Sequence, residues 1–472
     1  MLVIFILALL VRLPLIGTNF YKTPDAVEYL NIARHLTAGE GFVSSLKFHY
    51  LDSYPVVHQA IIDRPLGWPI FLSLLLRLNP DPAFSQAVIL FLGAANSALI
   101  YLLFRRYLPQ RSAFLGGVLY ALNPNLLITN RLLLAEPLAW FLALLGLNLF
   151  LALKLKPMMV AAALLALAYL TRPELLFLIL ALTIYLIIAR PRLLPAWLLP
   201  ILLLAAPYHW YSLKQGLGFF PFVESRVWQV FPFPDALAQF ELRLTPSLTL
   251  IQRQLAFISS RWLVLGWLDL KQIFSFGWLG PLAITVILVP KKFIIKAWPL
   301  VFFGLISLAL STLTWPMFLE PERTLAPVFI VLLLLILKSL TQIHSSLIKA
   351  LLPITIAIYL VFDVHRLLWA RTDPANHLFP SNQETIAWIN QNTDARDIIA
   401  AADPWTINYA TRRPSLILPK NLTRENFGRF IDTYRPAYII LYQDSPLKSL
   451  LPAPLFSTTP PDQSIYPAKV SD

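Results

Sequence analysis

Of 472 residues, 57% are hydrophobic and only 13% charged, with a mean hydropathy of +0.66; no soluble surface is assembled from such a composition, so most of the chain must face lipid. The 38 Lys and Arg against 25 Asp and Glu leave a charge of +13, but the basic residues fall in short clusters between apolar runs, which points to membrane topology and away from nucleic acid. With no cysteine in the chain, disulfides, thiolate metal sites, iron–sulfur clusters and cysteine nucleophiles are excluded.

The first apolar segment, Met1 to Ile16, has no Lys or Arg before Arg12 and no small-residue cleavage site after it, so it reads as a retained anchor with Arg12 snorkelling to the headgroups. Further apolar runs follow at Ala83–Phe104, Ser112–Ile128, Glu136–Leu153, Met158–Leu170, Leu175–Ala189, Leu193–Tyr211, Phe276–Val289, Ala297–Trp315, Ala326–Leu337 and Leu347–Asp363, about eleven spans in all. With the N-terminus in the cytoplasm, five short connections fall on that side. They carry Arg105, Arg106, Arg111, Lys154, Lys156, Arg190, Arg192, Lys291, Lys292, Lys296, Lys338 and Lys349 and no acidic residue. Basic bias in short loops sets orientation, so the long loops and the C-terminus are expected outside.

The outer face then holds a first loop at 18–68, a long loop at 212–275, the turns around Glu136, Arg172 and Glu320–Arg323, and everything beyond His365. Pro69–Leu78 and Ser247–Leu265 are apolar but short or interrupted, which suits helices lying in the interface. From Ser381 the pattern changes. Gln383–Asn390 and Arg424–Tyr434 read as helices, Ile398–Ala401 and Tyr438–Tyr442 as strands, and Leu416–Leu418 as a middle strand. The Pro/Ser-rich stretch after Ser445 shows no periodicity and is expected to be a tail, draped on the surface or disordered. The expected organisation is a multi-pass α-helical membrane domain over 1–364 and a small extracytoplasmic α/β domain over 365–472.

Nucleotide loops, HExxH and GxSxG are absent from the sequence. His49, His58, Asp52 and Asp63 share a loop and could hold a metal, but solvated loop histidines are the commoner reading, so a divalent metal stays open without a clear ligand set. Thr23-Pro24-Asp25 opens a helix on which Asp25, Tyr29 and Ala33 share one face; by itself Asp25 reads as a helix-capping carboxylate, worth about 1 kcal/mol. Trp228, Phe231, Phe233, Trp262 and Trp267 read first as an interfacial aromatic belt.

A larger pattern changes the weight on Asp25. Asp25, Tyr29, Ala33, Leu36, Gly39, Gly41 and Phe42, then Arg64-Pro65-Leu66 and Pro69, then Glu136-Pro137-Leu138, Thr171-Arg172-Pro173-Glu174 and Arg323-Thr324-Leu325-Ala326-Pro327 follow one another in order over residues 1–340. Together they resemble the GT-C glycosyltransferases of the protein O-mannosyltransferase and aminoarabinose-transferase group. Trp388-Ile389-Asn390 is similar to the outer soluble segment of bacterial members. Ala26 and Ala135 depart from the group's pattern, so neither metal binding nor protein acceptors follow from the likeness.

The resemblance implies a plasma-membrane enzyme of the cell envelope. It would transfer a sugar from a polyprenyl-phosphate donor to a lipid, glycan or protein acceptor at the outer face, by inverting displacement. In that scheme Asp25 is the base, Arg64, Arg172 and Arg323 hold the donor phosphate, Glu136 orients an arginine or binds sugar, and Glu28 and Tyr29 are accessory. A transporter or lipid flippase is the alternative, but charges and broken helices at mid-membrane, in two related halves, are not found.

Overall fold

The computed structural model describes residues 1–17, 23–48, 50, 55–62, 64–216, 219, 284–314, 326–342, 383–419, 422–442, 445–458 and 463–468. Helices α1 (Leu2–Arg12), α2 (Pro24–Ala38), α3 (Gly67–Leu78), α4 (Pro82–Phe104), α5 (Gln110–Leu122), α6 (Pro124–Asn130), α7 (Glu136–Phe150), α8 (Leu155–Thr171), α9 (Leu176–Ala189), α10 (Leu194–Lys214), α11 (Lys291–Thr314) and α12 (Ala326–Leu340) follow one another through the first 340 residues. Several starts are dictated by the same local chemistry, a capping side chain followed by proline. Thr23, Asp81 and Asn123 accept from the backbone N–H of Ala26, Ala83 and Leu126, and Pro24, Pro82 and Pro124 occupy the next position, where no N–H is needed.

Helices α7 and α8 form an antiparallel hairpin; α4 packs on α7 and α10 on α8, and one large apolar core runs through them to α12. Leu2, Val3, Ile188, Leu202, Leu203 and Leu305 are exposed on the outside of this bundle, where only lipid would solvate them. Gly116 lets α5 approach α4 closely, since a Cβ there would lie 2.5 Å from the Phe104 ring.

Two segments among the described residues, Pro82–Phe104 and Pro191–Lys214, are long and apolar enough to cross a membrane by themselves, with six shorter apolar helices beside them. The expected run Ser112–Ile128 is broken: Asn123 ends α5 and, with Pro124, restarts the chain as α6. The run from Ala297 begins earlier, so Lys291, Lys292 and Lys296 ride on the first turns of α11 instead of a connection. Of the run expected at Phe276–Val289, only the end is described, and Ile284–Leu288 is a 3-10 turn; Leu347–Asp363 and Ser247–Leu265 lie outside the described residues. Arg12 does not snorkel. It is fully buried, donating from Nη1 to the carbonyls of Ala8 and Ala121 at 3.0 Å, because α4 and α5 close over the end of α1.

Short strands β1 (Val43–Ser44), β2 (Leu46–Lys47) and β3 (His58–Gln59) follow α2. Helices α13 (Gln383–Asn392), α14 (Pro404–Thr411) and α15 (Arg424–Tyr434) alternate with β4 (Ile399–Ala401), β5 (Ser415–Ile417) and β6 (Tyr438–Tyr442), and β7 (Phe456–Ser457) and β8 (Gln463–Pro467) complete the sheet. Its order is β2-β5-β4-β6-β8-β7, parallel from β2 to β6 and antiparallel beyond. Two expectations are corrected here. The strand at Ser415 is not the middle one but flanks β4, and the stretch after Ser445 is no loose tail, since β8 pairs with β6 over five residues.

The sheet is not confined to the C-terminal segment, because β2 belongs to the loop after α2 and pairs Leu46 with Ser415. The junction is polar and buried. Asn31 donates to the Ser45 hydroxyl at 2.8 Å and to Asn408 Oδ1 at 3.0 Å, while Asn408 donates back to Ser45 Oγ at 3.2 Å. Arg34 lies over the Tyr409 ring, 5.3 Å from its centroid. Helix α2 is thus held between the membrane bundle and the sheet.

Candidate active site

Helix α2 presents two carboxylates one turn apart, and both meet Arg64. Glu28, fully buried, accepts from Arg64 Nε at 2.7 Å and contacts Nη2 at 2.6 Å; Asp25, a quarter exposed, accepts from Nη2 at 2.5 Å. Asp25 is not the helix cap, because Thr23 fills that role; its carboxylate turns to the arginine. The guanidinium lies 5.1 Å from the centroid of Tyr29 and 6.0 Å from that of Phe48. Burial by itself would lower the Arg64 pKa, but Asp25, then Glu28 and Tyr29, outweigh it and hold it well above the ordinary value.

Arg172, at the end of α8, makes ion pairs with Glu136, which opens α7, and with Glu174 two residues on. Glu136 is buried and Glu174 partly exposed. The two arginine groups are neighbours. Arg64, Asp25, Glu136 and Arg172 all act electrostatically on the Tyr29 hydroxyl, whose pKa is raised chiefly by burial. Gly67 fixes this proximity, since a Cβ there would lie 2.9 Å from the Thr171 backbone, so only glycine lets the segment after Arg64 reach the segment before Arg172. Trp68 adds a second tie, donating from Nε1 to the Leu133 carbonyl, three residues before Glu136.

The structure therefore brings together Asp25, Glu28, Tyr29, Arg64, Glu136 and Arg172. Arg323 lies outside the described residues, as do His49, Asp52, Asp63, Trp228, Phe231, Phe233, Trp262 and Trp267. Buried His58 has Nδ1 3.0 Å from the Val56 carbonyl, and among the described residues no group of three or more His, Asp or Glu is placed to hold a metal.

Sequence reasoning left Glu174 without a role, although the Arg-Pro-Glu turn that contains it was visible, and it left Phe48 out entirely. Each of the two arginines touches two carboxylates, an arrangement that stores acid function and fixed charge side by side: one carboxylate of each pair holds the guanidinium in place while the other reaches the surface.

Residues 63–210, the segment with Arg64, Glu136 and Arg172, match the family model described as dolichyl-phosphate-mannose-protein mannosyltransferase. The fold is similar to that of ArnT from Cupriavidus metallidurans bound to undecaprenyl phosphate, with a TM-score of 0.63 and 14% identity, covering 100% of this chain and 98% of that one. It is also similar to the oligosaccharyltransferase AglB from Archaeoglobus fulgidus, in complex with an inhibitory peptide and a dolichol-phosphate. There the TM-score is 0.54 and the identity 14%, over 93% of this chain and 69% of that one. By sequence, no curated protein matches. The fold is that of the GT-C membrane glycosyltransferases, and the resemblance read from the motifs is borne out by the family segment and by the architecture.

Proposed function

We propose that the protein transfers a sugar from a polyprenyl-phosphate donor to an acceptor hydroxyl at the outer face of the plasma membrane, with Asp25 as the base. The observation that carries this is the position of Asp25: it is the surface-reaching carboxylate of a group whose other acid, Glu28, is buried, and a second arginine–carboxylate group adjoins it across Tyr29. The orientation is supported by the α7–α8 hairpin, which sets Glu136 and Arg172 at one end and the exposed Lys154 and Lys156 at the other.

In the step proposed, the acceptor oxygen attacks the anomeric carbon from the face opposite the donor phosphate, and its proton passes to Asp25. The bond from the anomeric carbon to the phosphate oxygen breaks, and polyprenyl phosphate leaves with the electron pair. The transition state is oxocarbenium-like, so the carboxylates around the two arginines stabilise the positive charge growing on the sugar. Because Arg64 already faces Asp25 and Glu28, the arriving phosphate competes with Asp25 for that guanidinium, and loosening the pair frees Asp25 to take the proton. Arg172 and Arg323 complete the phosphate-holding set, and acceptor choice resides in the loops and the C-terminal segment.

The test is transfer of label from a polyprenyl-phosphate sugar by membranes containing the protein, with no nucleotide added. Strict dependence on a nucleotide sugar while carrier-lipid synthesis is blocked would overturn the reading. Reporter fusions after Arg106 and after Ser381 should fall on opposite sides of the membrane.

A further inference from the structure

Away from the arginine–carboxylate groups, the helix bundle gathers charge of one sign only. Glu136 opens α7 and Arg172 follows α8, so the turn joining these helices, with Phe150 before it, marks the opposite end. Phe150 meets the Tyr185 ring at 5.9 Å, and Tyr185 acts electrostatically on the Tyr107 hydroxyl, which puts Tyr107 at that end too. Tyr107 in turn packs edge-on against Phe293, 6.1 Å between ring centroids. One ring comes from the connection between α4 and α5, the other from the first turn of α11.

Cations stand around this aromatic pair. Lys296 Nζ lies 5.8 Å from the centroid of Tyr107 and Lys338 Nζ 5.5 Å from that of Phe293, while Arg106 acts electrostatically on the Tyr107 hydroxyl. Among the described residues no carboxylate pairs with any of the three. Like charges gathered from three parts of the chain repel one another unless an anion stands among them. The basic bias of short connections accounts for their sign but not for their convergence on two rings. Helix stability does not account for it either, since Lys291, Lys292 and Lys296 all sit in the first two turns of α11, where the helix dipole disfavours cations. The Tyr107 hydroxyl, its pKa pushed up to about 12 by burial, stays neutral and can donate.

The neighbourhood of the cluster selects the anion. Thr285 and Ser339 share a hydrogen bond at 2.6 Å, so the Ile284–Leu288 turn lies beside Lys338. That turn exposes Ile287 and Leu288, and α11 exposes Ile294 and Ile295 just before Lys296. A free phosphate would leave these four aliphatic side chains bare. A phospholipid meets both demands, its phosphate facing the cations and its acyl chains covering the aliphatic groups. We propose that Arg106, Lys296 and Lys338, set around Tyr107 and Phe293, bind the headgroup of an anionic phospholipid in the leaflet at this end of the bundle. The rings fix where the ammonium groups stand, so the site is a defined place on the bundle surface. It is independent of the transfer reading.

The test is native mass spectrometry of the full-length protein in uncharged detergent, titrated with dioleoylphosphatidylglycerol, with dioleoylphosphatidylcholine and inorganic phosphate as comparisons. The wild type should retain phosphatidylglycerol at least ~10-fold better than phosphatidylcholine, because each basic residue near an anionic headgroup counts for several-fold. An equal concentration of inorganic phosphate should leave the lipid bound; displacement would make the cluster a free-anion site and overturn the proposal. Two double variants remove equal charge from the same end of the bundle. Lys296→Gln with Lys338→Gln should weaken phosphatidylglycerol retention ~10-fold or more, and Lys154→Gln with Lys156→Gln, at the start of α8, less than ~2-fold. Equal losses from the two pairs would mean a diffuse attraction and overturn the site, as would equal retention of the two lipids by the wild type. Should the first pair fail to fold, Arg106→Gln, on an exposed side chain, takes its place. A several-fold loss is expected there, and full retention overturns the proposal equally.

Discussion

The Arg64 and Arg172 groups have the same composition, one guanidinium and two carboxylates with one acid buried and one partly exposed, but they are built differently. Arg64 comes from a loop and is gripped by a single helix, with both acids on α2 and aromatic rings of Tyr29 and Phe48 on its faces. Arg172 is held at the mouth of a hairpin, between the first residue of α7 and the turn leaving α8. The first group can shift only if α2 shifts, and α2 is fastened to the sheet through Asn31; the second follows the ends of two membrane helices. The difference teaches that one charge arrangement can be anchored in two ways, by a single helix braced on the sheet or by the ends of two helices.

The hardest blow to this contrast is Arg64→Ala. It strands a fully buried Glu28, so stability should fall by about 3–5 kcal/mol and transfer should vanish, whereas Arg172→Ala should unfold the protein less; thermal unfolding in detergent compares the two. Next, Asp25→Asn removes proton acceptance but keeps the shape, and turnover should drop by at least ~10²-fold with insertion unchanged, while Glu174→Gln should cost less than about 10-fold. Equal losses from the two would erase the distinction between the groups. Arg172→Lys keeps the charge but gives up the two-pronged contact, so the KM for the lipid donor should rise several-fold with a smaller change in kcat.

Two smaller effects follow from titration. The Tyr29 hydroxyl is pushed above its ordinary value by burial, so its ionisation should put no basic limb on the rate between about pH 7 and 9, and Tyr29→Phe should leave the profile's shape unchanged. Asp403, outside both groups, has a pKa raised in the folded state, so the native form binds more protons than the unfolded one just above the ordinary carboxyl range. Stability therefore declines as pH rises through that window and stays lower above it. Asp403→Asn keeps the helix cap and should abolish this decline, which Tm against pH would register.

Much of this architecture is legible in local sequence because its causes are local. Thr23-Pro24, Asp81-Pro82 and Asn123-Pro124 each announce a helix start, and Arg424–Tyr434 and Tyr438–Tyr442 appear where periodicity places them. Asn123-Pro124 carried its signal too, but the surrounding apolar run hid the break. What was not legible depends on distant partners. Arg12 is buried because Ala121 offers a carbonyl, and β8 forms in a Pro/Ser-rich stretch because β6 offers an edge. In the site, the order of motifs marked Asp25, Arg64, Glu136 and Arg172 as a set, but motif order cannot say that Glu28 meets both Nε and Nη2 of Arg64, or that Glu174 joins Arg172. Those assignments depend on which oxygen reaches which nitrogen once α2 and the hairpin are packed.

The pairing of Leu46 with Ser415 also has a meaning in time. A ribosome delivers the α2 carboxylates and Arg64 early, yet the strand that fastens the following loop emerges some 370 residues later. Until then the loop is a tethered segment waiting for its partner, and closing so long a connection costs entropy that only the finished sheet offsets. Biogenesis thus carries its own safeguard: a chain that stops short of β5 holds every residue of the proposed catalytic groups but lacks the brace that sets α2, so unfinished copies in the membrane stay idle.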